Sequence, residues 1–175
     1  MSGNGSLTTL PAPRTTRLID AGSVLLVSCY ELGHQPLNLA SPTAYLRQAG
    51  FEPATIDASV EDLDEDLVRR ARLIAISVPM HTALRLGGRV AQRVRVLNPR
   101  AHICFYGLYA TLNGEYLLRD LGDSVISGEY ERALVDLARA LDAGAATDSV
   151  PGLGTRRRSA PPVLERLAPL AVDRS

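Results

Sequence analysis

The residues able to do chemistry in this 175-residue chain are few and scattered. Three histidines, His34, His81 and His102, fall on separate segments, and two cysteines, Cys29 and Cys104, complete the soft ligands. Two thiols can supply neither a four-cysteine zinc site nor an iron–sulfur cluster. The stretch Tyr30-Glu31-Leu32-Gly33-His34 sets an acid near a histidine in a Gly-containing loop, a place for a polar contact to a ligand. Every one of the nineteen basic residues is Arg. Without lysine there is no Schiff base, no P-loop lysine and no receiver-type lysine, so three chemistries are excluded together. Nineteen acidic residues balance the arginines, and a neutral chain lacks the basic footprint that nucleic-acid binding leaves. What remains is a set of residues at predicted strand ends: Ser77, Gly107 and Gly128-Glu129. Such residues suit a large ligand that approaches the main chain edge-on.

Those positions gain meaning from the elements that carry them. Residues 24–27 (VLLV), 73–78 (LIAISV) and 102–106 (HICFY) are short uninterrupted apolar runs, the signature of strands buried on both faces. EPATIDA at 52–58 alternates like a strand nearer an edge, and SVIS at 124–127 is a fifth strand. Between them lie helical patterns ending at Gly50, over 62–71, 83–97, 115–121 and 131–143. Pro42 is expected near the start of the first helix, where proline is tolerated. Strands alternating with helices predict an α/β, flavodoxin-like (Rossmann-like), doubly wound five-stranded parallel sheet of order 2-1-3-4-5. In that architecture ligands bind beyond the carboxyl ends of the strands, which places the site on loops 28–37, 77–83, 106–114 and 127–131.

Residues 1–22 read as a flexible leader, 23–143 as the α/β domain and 144–175 as a linker. The linker carries Arg156-Arg157-Arg158 and the Pro161-Pro162 pair. No apolar run approaches the roughly 20 residues of a membrane span. With no secretory signal and two thiols that suit a reducing setting, a cytoplasmic location is expected. Among common tenants of the fold, a receiver site fails on its missing acid and lysine. A flavin site lacks its Ser/Thr-rich loop, and a dinucleotide site has only Gly33 where G-x-G-x-x-G is required.

Taken in order, VLLVS, PLNLASPTAYLRQAGFEPATIDA, LIAISVPMHTA, CFYGLYAT and VISGEYE resemble the cobalamin-binding domain that precedes the radical SAM barrel in many bacterial enzymes. ELGHQPLNLASP and SVPMHTALRLG also resemble a radical SAM subgroup named for a CUAEP or CCAEP tail. The resemblance implies that Ser77, Val78, Gly107, Tyr109, Ala110, Gly128 and Glu129 line the corrinoid, with Glu31 and His34 as further cofactor-binding candidates and His81 placed to touch its polar rim. The family's Gly-Gly pair is Gly107-Leu108 here, and the D-x-H-x-x-G signature of a histidine below cobalt is not met. No C-x-x-x-C-x-x-C loop occurs. By the resemblance, cobalamin is held here, while the iron–sulfur cluster and S-adenosylmethionine belong to a radical SAM barrel expected downstream, which this chain lacks. Methyl transfer is the reaction the resemblance suggests. The alternative is a flavodoxin-like interaction or regulatory domain with no cofactor.

Overall fold

A computed structural model describes residues 17–30 and 37–164. Its strands are β1 (Val24–Ser28), β2 (Ala54–Asp57), β3 (Leu73–Ser77), β4 (His102–Tyr106), β5 (Ser124–Ile126) and β6 (Leu153–Thr155). They form one sheet of order β2-β1-β3-β4-β5-β6. The first five are parallel, as the pattern predicts, and β6 adds antiparallel to β5. Helices α1 (Leu37–Gln48), α2 (Glu65–Arg70), α3 (His81–Leu97), α4 (Leu108–Leu112), α5 (Gly114–Asp120) and α6 (Glu131–Asp142) make the crossovers.

Because alternate residues of a strand face opposite sides, the sheet carries two cores. Leu25, Val27, Ile74, Ile76, Ile103 and Phe105 pack beneath α2 to α5. Leu26, Ala75, Cys104, Tyr106 and Ile126 pack beneath α1 and α6. β1 and β3 are buried along their whole length, which is why they read as unbroken apolar runs. Local signals set the helix ends: the Asp64 carboxylate accepts from the Asp66 and Leu67 amides and starts α2. Gly50, at φ 89°, lets the chain leave α1 in the left-handed region.

Four expectations are corrected. Leu18 is fully buried and its amide donates to the Asp142 carboxylate at 2.7 Å, so residues 17–22 belong to the fold rather than to a leader. Its burial stabilises by about 1.5–3 kcal/mol. α3 starts at His81, and residues 108–112 form a helix that the pattern did not show. Residues 153–155, placed in the linker, form an edge strand, and Val163 bridges to Gly128. β6 is too short to display a period. Finally, Pro42 lies inside α1, one turn deeper than expected. It has no N–H for the Asn38 carbonyl four residues earlier, and the Tyr106 hydroxyl donates to that carbonyl instead, at 2.7 Å.

Candidate functional site

The carboxyl ends of β1, β3 and β4 finish in Ser28, Ser77 and Tyr106, aligned across the sheet by its register. All three are buried and face α1 and α6. From α1, the Asn38 side-chain amide donates to Ser77 Oγ at 2.7 Å, while Tyr106 secures the Asn38 main chain. Burial above all, and the neighbouring Tyr130, push the Tyr106 hydroxyl well above its ordinary pKa, so it stays a proton donor. The two tyrosine rings pack at 4.7 Å with a 46° tilt. Glu131, the first residue of α6, accepts from the Ser41 hydroxyl at 2.7 Å.

Four buried polar atoms in this region have no hydrogen-bond partner: Ser28 Oγ, Asn38 Oδ1, Thr43 Oγ1 and Glu131 Oε2. An unpartnered buried polar atom costs about 1–3 kcal/mol. All four belong to the end of β1, to α1 and to the start of α6, the elements that close over one face of the sheet.

Of the residues singled out from the sequence, Ser77 stands at the centre of this cluster. Glu31 and His34 lie outside the described residues. His81 is exposed at the start of α3, with its ring edge on Tyr109 (6.4 Å, 78°), so these two meet on the rim beside α4. Val78 and Ala110 are fully buried; the Val78 amide donates to the Tyr106 carbonyl and its carbonyl accepts from Tyr109.

At two of the glycines the missing side chain also serves contacts within the chain. At Gly107 (φ 101°) a Cβ would stand 3.0 Å from the Val78 carbonyl oxygen, so its missing side chain serves the crossing of two loops. At Gly128 (φ 86°) a Cβ would fall 1.9 Å from the Val163 carbonyl oxygen. The space expected for a ligand at Gly128 is filled by the chain's own return segment, which the Glu129 amide holds through Val163 at 2.8 Å.

Composition missed Ser28, Asn38, Thr43, Tyr106 and Glu131. A signal existed in the hydroxyl that ends each of three consecutive sheet neighbours, and in Pro42 four residues after Asn38. Cys29 is no nucleophile: burial, with Asp57 adding, pushes its thiol up to about 12. His102 is on the opposite rim, its Nε2 2.8 Å from Ser124 Oγ. Among the described residues no group of three His, Cys, Asp or Glu side chains is placed to hold a metal ion, and no helix is long and apolar enough to cross a membrane.

Comparison with known proteins agrees with this fold. A family model described as the B12 binding domain matches residues 23–138. No curated protein matches. Among solved structures, the chain is similar to the radical S-adenosylmethionine methyltransferase TsrM from Kitasatospora setae with cobalamin and a 4Fe-4S cluster bound. There it shares 22% identity at a TM-score of 0.68, covering 85% of this chain. It is also similar to TsrM from the same organism with tryptophan substrate and the SAM analogue aza-SAM bound, at 22% identity and TM-score 0.64 over 78% of this chain. In both cases the chain spans 30% of the length of the solved protein.

Proposed function

The chain belongs to the B12-binding domain family, and from that premise we propose that it is the cobalamin-holding module of a radical SAM methyltransferase system. The observation that carries the reading is the set of four unpartnered buried atoms beneath α1 and α6. Cobalamin's periphery of amides, ribose hydroxyls and a phosphate offers the donors and acceptors those atoms lack. Ser28, Ser77 and Tyr106 on the sheet, with Asn38, Thr43 and Glu131 on the helices, are the residues that would hold this polar part. His81 and Tyr109, exposed and half-buried on the same rim, are placed to touch the ring's edge. Gly107, Val78 and Ala110 would support that surface from behind, and Gly128 and Glu129 act through the Val163 segment they anchor. Glu31 and His34 remain contacts proposed from the resemblance.

Bound cobalamin supplies a cobalt centre able to carry a methyl group. The chain's own work is to bury the polar part of the cofactor, orient the ring on the rim and exclude water from the α1/α6 face. Methyl transfer with S-adenosylmethionine then needs a radical SAM barrel with its iron–sulfur cluster as partner, and that partnership is inferred from the TsrM likeness. Two buried free thiols support a reducing, cytoplasmic setting. Titration of the chain with hydroxocobalamin, followed in the visible spectrum and by equilibrium dialysis, tests the reading. A saturable change at one equivalent is expected; retention no greater than that of a flavodoxin-like control protein would refute it.

A further inference from the structure

On the other face of the sheet, a cleft of ≈ 860 Å³ opens between α4, α5 and the β6 edge. That volume suits a small ligand. Its outer wall is the hairpin that follows β6, where Thr155 and Arg158 exchange both main-chain bonds, at 2.7 and 3.1 Å. The turn so closed is a defined one, and it presents Arg156, Arg157 and Arg158 side by side. Arg156 Nε donates to the Leu118 carbonyl at the end of α5, at 2.6 Å, which fixes that guanidinium at the cleft wall. All three arginines are exposed, and among the described residues none of them makes an ion pair. Glu115 is the one carboxylate in the lining.

Three adjacent unpaired cations raise the local positive potential, and a solvated tail would leave them apart. Here the fold gathers them over a cleft also lined by Ser127 and Ser159. Leu112, Leu118 and Val125 give the same cleft apolar surface. Arginine forks match the oxygens of a phosphate, and so many donors exceed what the two oxygens of a carboxylate can accept. We propose that this cleft binds a small phosphomonoester whose phosphate meets the Arg156–Arg158 turn and whose apolar body lies on Leu112 and Leu118. The site lies across the sheet from the α1/α6 face and stands independently of cobalamin.

The test uses the full chain, labelled with nitrogen-15 and titrated in parallel with phenyl phosphate, inorganic phosphate and benzoate. Phenyl phosphate should give saturable amide shifts confined to residues 111–118 and 153–160, binding at least tenfold more tightly than either other probe. The Arg157→Ala/Arg158→Ala double variant should weaken phenyl phosphate at least tenfold while its hydroxocobalamin titration stays that of the parent chain. No saturable shift, shifts spread over the surface, equal affinity in the double variant, or benzoate binding as tightly as phenyl phosphate would each overturn the proposal.

Discussion

At the amino-terminal rim of the sheet, Asn98 donates through one side-chain nitrogen toward the carbonyls of Val68, Arg69 and Ala71, at 2.8–3.2 Å. Nearby, Asp123 accepts from Arg95 and from the Ile103 amide, His102 meets Ser124, and Asp142 holds Leu18. At the carboxyl rim, Ser28, Asn38, Thr43 and Glu131 each keep a buried atom without a partner. Both rims are polar. The first is closed on itself, and the cavity of ≈ 660 Å³ beside it, lined by five arginines, gathers where α2, α3 and α6 end. Cations there meet the negative ends of helix dipoles, so that charge is already answered within the fold. Between these two rims, unfinished hydrogen bonding rather than arginine charge marks the one proposed to hold cobalamin.

Breaking the closed rim should give the largest loss of stability and none of function. Asn98→Ala strips the end of α2 of its side-chain donor and should lower the unfolding free energy by about 2–3 kcal/mol. Urea denaturation measures this, and hydroxocobalamin affinity should be unchanged.

The open rim should respond differently. Tyr106→Phe keeps the ring but leaves the Asn38 carbonyl unpaired, because Pro42 cannot serve it; about 1–2 kcal/mol should be lost. Adding Pro42→Ala restores an N–H to that carbonyl, so the loss should shrink in the double variant. A thermodynamic cycle over the four proteins reads that coupling. Additive effects would show that Pro42 and Tyr106 are not linked through Asn38.

The smallest effect is a pH dependence on the closed rim. Burial lowers the His102 pKa and outweighs the Asp123 charge that would raise it, with a smaller lowering contribution from Arg95. The folded chain therefore resists protonation that the unfolded chain accepts. Stability from neutral His102 is complete above the ordinary imidazole value of about 6.5 and is lost progressively as pH falls from there toward the lowered folded value. Urea midpoints compared at about pH 7.5 and pH 5.5 should drop on acidification, and less in His102→Asn.

The sheet was legible in the sequence because burial on both faces writes unbroken apolar runs such as 24–27 and 73–78. β6 was not, since three residues, one of them Gly154, carry no period and are fixed only by pairing with β5. Ser77 was legible as a polar residue closing an apolar strand. Its partners were hidden for a physical reason: Asn38 and Thr43 look like ordinary helix residues until α1 is laid on the sheet, and Glu131 looks like a helix-start acid until α6 buries it. The glycines were legible as close approaches, but what approaches them was not. Positive φ marks a close approach without saying what approaches, and at Gly128 it is Val163.

The most direct test of the account removes unpartnered atoms without changing shape. Ser28→Ala combined with Thr43→Val deletes two buried hydroxyls that bond nothing within the fold. The account predicts a thermal midpoint equal to or above that of the parent chain, together with at least a tenfold weaker hydroxocobalamin affinity by equilibrium dialysis. Unchanged affinity in a variant of unchanged stability would contradict it, because the open rim would then hold nothing that the cofactor uses.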